Sequence, residues 1–357
     1  MVPGVLEWRA AESLGIGMIP HSRPWIGLAE HDAVDEVLRS NMFVGGNLSG
    51  RFRAALAEVR GASFLFPSGR LALRAALSAL DLPSGAGVIV QTYVCNAVVW
   101  AIRAAGLTPI LCDTGPNWIA TPNTISAAMT PSCAAILLAP PFGLLQSAEP
   151  FRVLGLPIIH DLCQASPAIV SKAPGDALGD LVTLSFHPTK YLCAAGGGAV
   201  VDPRVTYGAR LRLEESTIAE MGPFNNIQVA MGLAQLARLP EFAARRDAIL
   251  NLFLKSLPKT VTKRLSAALD VNTGDLFRFV VDIGSRDFDQ ISLLFAEAGI
   301  TARRGVDQLA HRIAGLPDAH FPNAIHCFYT TLSLPFYPAL DEGDAQKIAM
   351  TARQLLQ

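Results

Sequence analysis

Short apolar runs without polar alternation recur along the chain, separated by stretches in which apolar residues return every three to four positions. Ser63 to Phe66, Gly87 to Gln91, Thr108 to Cys112, Ala134 to Ala139, Leu156 to His160, Leu181 to Ser185 and Gly198 to Val201 predict strands buried on both faces. Between them, helical spacing predicts helices from Arg70 to Leu80 and from Asn96 to Ala105. Upstream, residues 28–60 show the same spacing twice, in Asp32, Val34, Val37 and Leu38 and then in Phe52, Leu56 and Val59. The Gly-rich loop Gly45 to Gly50 lies between these two stretches. A sheet covered by helices on each side is a three-layer α/β/α domain, here with a mostly parallel sheet.

A long helical region from Asn226 to about Leu254 leads into a smaller C-terminal α/β unit. That unit reads as a strand from Leu276 to Ile283, a helix from Asp287 to Ala298, a strand from Thr330 to Leu334 and a last helix from Glu342 to Leu356. The expected division is therefore residues 1–240, a large domain with its N-terminal segment, and residues 241–357, the small domain.

Composition narrows the function classes. With 51% apolar and 17% charged residues in 357, the chain can build a large core and has apolar surface to spare for a subunit interface. A formal charge of -1, with no basic block beyond Lys255 to Arg264, disfavours nucleic acid as a partner, and that stretch reads as solvated surface. No run of about 18 apolar residues escapes interruption, the nearest, Cys133 to Leu145, containing Pro140 and Pro141, so no membrane span is expected. Met1 to Ala10 lacks the pattern of a secretory signal, and the six cysteines are scattered without C-x-x-C spacing, so a reducing, cytoplasmic compartment is expected.

Candidate chemistry gathers at the ends of the predicted strands, where open α/β sheets bind ligands. Lys190, one of only six lysines, follows the strand Leu181 to Ser185 among Phe, Pro and small residues rather than on a charged helix face. There an ammonium is poorly hydrated and its amine can attack a carbonyl. Asp161 closes another apolar strand, a costly place for a carboxylate unless it meets a cation. A lysine and an aspartate so placed are what pyridoxal phosphate requires, one to carry the cofactor as an imine and the other to hold its ring nitrogen protonated. Ser68, Gly69 and Arg70 open a helix whose free N–H groups suit a phosphate, and Tyr93 offers a ring to stack on a flat cofactor. Taken singly, Ser68 also reads as a helix cap, Asp161 as another, and Tyr93 as core packing.

With these residues in place, the chain resembles the DegT/DnrJ/EryC1/StrS family of pyridoxal-phosphate-dependent sugar aminotransferases, which have the aspartate-aminotransferase fold. The resemblance runs through Ile19-Pro20, Arg23-Pro24 and Glu30, Ser68-Gly69, Val90 to Tyr93, Asp161 to Ala165, Ser185 to Lys190, Gly196 to Gly198, Asn226 to Gln228, Gly232 to Leu236, Arg245-Arg246 and Leu332 to Pro335. It implies that Lys190 binds the cofactor covalently and is catalytic, that Asp161 pairs with the pyridine nitrogen, and that Gln164 reaches the ring hydroxyl. Tyr93 would stack on the ring. Ser68, the Gly69 and Arg70 amides and Ser185 would take the phosphate, and His187 would support the lysine loop. It further implies transfer of an amino group from glutamate to a keto group on a nucleotide-linked deoxysugar, in surface-polysaccharide or secondary-metabolite biosynthesis, by a homodimer with the active site at its interface.

The chain departs from the family pattern at several points. His160 replaces a Glu, Arg70 a small hydroxyl residue and Gly197 a Glu, Pro140-Pro141 precede Phe142-Gly143 where a His is usual, and Met221 and Pro223 stand where Asn and Arg are common. The segment between Val201 and Asn226 looks shortened. These changes bear on the acceptor substrate and on what a neighbouring subunit contributes. Alternatives are a non-catalytic or regulatory protein of the same fold, and a sugar dehydratase, disfavoured because those relatives have His where this chain has Lys190. A metal hydrolase built on His160, Asp161, Cys163, His187 and Cys193 fits no usual zinc spacing, and Gly45 to Gly50 lacks G-x-G-x-x-G. His311, His320 and His326 have no assigned role.

Overall fold

The computed structural model describes residues 17–57, 61–271 and 275–357. Seven strands form the main sheet: β1 (Ala62–Phe66), β2 (Gly87–Gln91), β3 (Thr108–Cys112), β4 (Cys133–Leu138), β5 (Ile158–Asp161), β6 (Leu181–Ser185) and β7 (Gly198–Asp202). Their order is β1-β7-β6-β5-β4-β2-β3, and only β7 runs against the rest. The carboxyl ends of β1, β5 and β6 therefore share one edge, and β7 begins there.

Alternation along each strand feeds two separate cores. Phe64, Phe66, Val88, Val90, Leu137 and Ile159 face the helices Gly69–Ala79, Asn96–Ala104 and Gly208–Ala219. Leu65, Val182, Leu184, Ala199 and Val201 face the opposite layer, where Phe52 of helix Leu48–Ala57 and Val229 of helix Asn226–Ala237 meet them. This burial on both faces makes the α/β/α layering that the uninterrupted apolar runs predict. Val59, the last residue in the predicted second helix, lies outside the described residues.

Three strands, β8 (Phe279–Asp282), β9 (Arg303–Arg304) and β10 (Thr331–Leu334), make a second sheet in the order β8-β10-β9, antiparallel throughout. Its core extends beyond the C-terminal unit, taking in Tyr93, Trp118 and Phe142 from the large one. Trp118 Nε1 also donates to Thr331 Oγ1 at 2.7 Å. Residues 19–21 belong to this side as well: Ile19 pairs with Ile300, and His21 Nε2 bonds Ser333 Oγ at 2.9 Å.

Several elements differ from expectation. The long helix from Asn226 is two helices, Asn226–Ala237 and Leu239–Ser256, and Pro240, which has no N–H to continue the ladder, sits in the first turn of the second. The polar lysine stretch belongs to the helix Lys259–Val271, whose Val261, Leu265 and Ala268 are buried. The interval after Val201 holds the helix Gly208–Ala219, which buries little beyond Leu211 and Ile218 and so leaves a faint apolar signature. Strand β8 starts at Phe279 rather than Leu276, because the Phe277 N–H donates to the carbonyl of Phe142 in the large unit, 2.7 Å away. No described helix is long and apolar enough to cross a membrane.

Candidate active site

Asp161, the last residue of β5, and Thr183, midway along β6, are register partners and point to the same face of the sheet. The Thr183 hydroxyl donates to Asp161 Oδ1 at 3.1 Å, and the Cys163 N–H donates to the same oxygen at 3.0 Å. The carboxylate is 9% exposed and has no ion-pair partner among the described residues, so its second oxygen is left for a cationic donor. His160, one position earlier, points to the opposite face. It is fully buried, neither ring nitrogen has a partner among the described residues, and desolvation pushes its imidazole down to about 3.

Ser68 caps the helix Gly69–Ala79, its hydroxyl accepting from the Leu71 N–H at 3.2 Å. The cap reading and the phosphate reading are compatible, because the Gly69 and Arg70 N–H groups precede the helical ladder. Gly69 is required by close approach. A Cβ added there would lie 2.6 Å from the Cβ and 2.8 Å from the Oγ of Ser185. Ser68, Gly69 and Ser185 thus form one cradle, built where the helix start meets the end of β6. The Arg70 side chain turns away and lies over the exposed Trp100 ring, 5.2 Å from its centroid, so Arg70 offers the cradle its amide alone.

Lys190 stands in a closed turn, its N–H donating to the His187 carbonyl at 2.8 Å. The same turn is tied by His187 Nδ1, which accepts from the Thr189 N–H at 3.3 Å and meets Thr189 Oγ1 at 3.0 Å. Partial burial and then the Lys190 charge hold the His187 imidazole below its usual value. Upstream, Phe186 anchors the loop: its N–H donates to Gly197 and its carbonyl accepts from Ala194. Gly197 has φ +91°, and an added Cβ would strike the Phe224 ring, so the Glu usual at this position has no room. The Lys190 ammonium lies 5.7 Å from the Phe277 ring centroid. Both Asp161 and Lys190 act on one thiol. Burial and then the Asp161 charge push Cys163 well up, while the Lys190 charge opposes them. The anion and the amine are therefore within electrostatic reach of the same atom.

The orientation of the Gln164 amide is fixed by chemistry. Its Oε1 accepts from the Phe142 N–H at 2.9 Å, which leaves the Nε2 hydrogens as donors.

Tyr93 is not placed as expected. Its ring has 0% exposure, packs edge-on against Phe142 with centroids 6.4 Å apart, and belongs to the core beneath the second sheet. A ring enclosed on every side offers no face for stacking, so the packing reading of Tyr93 holds and the stacking one is corrected. Burial raises the pKa of its hydroxyl.

The residues imagined for a metal hydrolase do not converge: among the described residues no group of three or more His, Cys, Asp or Glu is placed to hold a metal. His311 is fully buried, bonding Thr92 Oγ1 through Nδ1 at 2.8 Å and Asp318 through Nε2 at 3.0 Å, which ties the C-terminal unit to the end of β2. His326 meets Arg264. Thr183 was missed in the sequence, although a lone hydroxyl inside the apolar run Leu181 to Leu184 was the available signal. Arg246 and Arg278, which line a cavity with Lys190, were also not singled out as site residues. Arg278 is a lone cation inside an apolar strand-like run, and that was its mark.

Comparison with known proteins bears on the family and the fold. A relative from Saccharopolyspora spinosa, dTDP-4-dehydro-2,3,6-trideoxy-D-glucose 4-aminotransferase, is 28% identical over 93% of this chain and 95% of its own. The UDP-N-acetyl-3-dehydro-alpha-D-glucosamine 3-aminotransferase of Acidithiobacillus ferrooxidans is 30% identical over 90% of this chain and 92% of its own. Among solved structures, the Helicobacter pylori aminotransferase PseC superposes with a TM-score of 0.83 at 18% identity, covering 95% of this chain and 99% of that one. The profile of the DegT/DnrJ/EryC1/StrS aminotransferase family matches residues 24–353, and the chain belongs to that family.

Proposed function

We propose that this aminotransferase uses pyridoxal phosphate to move an amino group from an amino acid, most simply glutamate, to a keto group on a nucleotide-linked deoxysugar. The observations that support the cofactor assignment are a phosphate cradle where β1 and β6 end, a carboxylate with a free oxygen at the end of β5, and Lys190 in the turn that follows β6. Ser68, Ser185 and the Gly69 and Arg70 amides hold the phosphate, a cradle that a single added Cβ at Gly69 would fill. Asp161, oriented by the bond from Thr183, would keep the ring nitrogen of the cofactor protonated. Gln164 would be the donor to the ring hydroxyl, through Nε2. His187 holds the turn that carries Lys190.

When bound, the cofactor supplies an electron sink for the carbanion formed at the donor Cα. Lys190 would hold the cofactor through its Nζ, and the same amine, displaced by a donor, would be the base that takes the proton from the donor Cα. The acceptor class is supported by the names of the relatives, which act on dTDP- and UDP-linked keto sugars. We place the protein in the cytoplasm as a homodimer, with residues 1–240 holding the cofactor and 241–357 closing over it. Mixing the purified protein with pyridoxal phosphate, glutamate and a panel of nucleotide-linked keto sugars, and following 2-oxoglutarate, tests the reading. A protein that binds the cofactor and releases no oxo acid with any donor would refute transamination.

A further inference from the structure

Pro140 and Pro141 lead from β4 into a turn that puts a buried aromatic residue where the backbone disfavours one. Phe142 has φ +65°, in the left-handed region rarely adopted by a bulky side chain, and such strain persists only where the surroundings over-determine it. Here the ring does so. It has 0% exposure, Trp118 and Tyr93 meet it edge-on with centroids 5.5 and 6.4 Å away, and a Cβ added at Gly305 would lie 2.8 Å from its Cζ. Gly143 follows at φ +87°, and only the lack of a Cβ lets it pass the Asp275 carbonyl and the Phe277 N–H, which an added Cβ would approach to 2.5 and 2.6 Å.

The peptide groups of Phe142 face two ways. Its N–H donates to Gln164 Oε1 at 2.9 Å, and its carbonyl accepts from the N–H groups of Phe277 at 2.7 Å and Arg278 at 3.3 Å. Phe277 and Arg278 wall the cavity that Lys190 lines, and the Phe277 ring centroid lies 5.7 Å from the Lys190 ammonium. One residue therefore stands between the glutamine and the wall beside the lysine. Because peptide units are planar, φ and ψ at Phe142 fix the directions of its N–H and C=O relative to each other. Relaxation to negative φ would turn one group away from its partner. We propose that Phe142 is a positioning residue, which couples Gln164 to the Phe277–Arg278 edge so that the donor for the ring hydroxyl and the wall beside Lys190 are set together. The role of Gln164 rests on the cofactor reading given above, whereas the coupling is a property of the chain itself.

Amide hydrogen exchange on the full chain, with and without pyridoxal phosphate, tests the coupling and needs no turnover. Gln164→Ala removes the acceptor of the Phe142 N–H, and in the cofactor-free protein exchange at the Phe277 and Arg278 amides should then rise at least about tenfold. Gln164→Glu keeps an acceptor and should leave those amides protected. It has no Nε2 donor, however, and should bind pyridoxal phosphate at least about fivefold more weakly. In wild type the cofactor should slow exchange at the same amides. Phe142→Gly permits the same φ without the ring, and should weaken cofactor binding at least about fivefold alone but not further when added to Gln164→Ala. Unchanged exchange at Phe277 and Arg278 in Gln164→Ala, equal loss of protection in Gln164→Glu, or losses of affinity that multiply in the double variant would overturn the coupling and leave Phe142 an ordinary core residue. If circular dichroism shows that Phe142→Gly does not fold, the Gln164 variants decide. Wild-type protein that develops no visible band with pyridoxal phosphate ends the cofactor reading, and exchange in the cofactor-free variants still decides the coupling.

Discussion

Single residues decide the site, and each makes a distinct forecast. Asp161→Asn keeps the bonds from Thr183 and Cys163 possible but cannot hold a ring proton, so turnover should fall about a hundredfold or more with the fold intact. Steady-state kinetics with near-ultraviolet dichroism checks both halves, and undiminished turnover would remove Asp161 from the chemistry. Gly69→Ala drives a methyl into Ser185 and should weaken cofactor binding at least about tenfold. Fluorescence titration with pyridoxal phosphate measures it, and wild-type affinity would mean the phosphate lies elsewhere. Asp161 stood out in the sequence because it closes an apolar run, and Lys190 because it follows one among Phe, Pro and small residues, places where a charge needs a reason. Tyr93 was misread because a strand-end aromatic has the same signature whether its ring faces a ligand or, as here, Phe142. Arg246 stayed hidden because its solvation comes from carbonyls and rings far away in sequence.

At the scale of elements, the helices beside the site are tied by one buried pair. Glu30 in the first turn of helix Leu28–Ser40 is 1% exposed, accepts from the Gly27 N–H at 2.7 Å, and meets Arg238 Nη1 at 2.8 Å and Gln235 Nε2 at 2.7 Å. Arg238 stands at the break between helices Asn226–Ala237 and Leu239–Ser256, so the pair pins that junction to the N-terminal helix. Replacing Glu30 by Gln leaves a guanidinium short of its anion and should cost about 3 kcal/mol of stability, read from denaturant midpoints. Burial pushes the Glu30 carboxyl up, but the bonds from Gly27, Gln235 and Arg238 outweigh it and the net shift is below 4.5. Its contribution is therefore present above the unfolded carboxyl range and is lost as pH falls through the lower folded value. The difference in midpoint between wild type and Glu30→Gln should shrink as pH drops below 4.5, and a constant difference would contradict this. Strands β2, β3 and β6 were legible to the residue because each is a short, mainly apolar run, although only β2 is buried throughout and the edge strand β3 buries little beyond Cys112. The helix break at Arg238 was not, since helical spacing continues across it and only Pro240 marks the restart.

Across the whole molecule, the two sheets share a core. Trp118, Tyr93 and Phe142 from the large unit sit in the cluster beneath the small sheet, and residues 19–21 bond to that sheet before the chain enters the large one. Such an interface predicts a single cooperative unfolding, so far-ultraviolet dichroism and tryptophan fluorescence should give coincident transitions in urea. Two separated transitions would show that the units fold independently. Sequence pattern located both sheets but placed residues 19–21 with the nearer unit, because a bridge to Ile300 is a long-range pairing that no local periodicity records. The central claim concerns one place in this architecture, where the ends of β1, β5 and β6 meet the turn of Lys190. Its most direct test is the visible absorbance of the intact protein mixed with pyridoxal phosphate, before and after glutamate, in wild type and Lys190→Ala. The account predicts a cofactor band in wild type that glutamate bleaches, and in Lys190→Ala neither that band nor any turnover. An unaltered band and response in Lys190→Ala would contradict it.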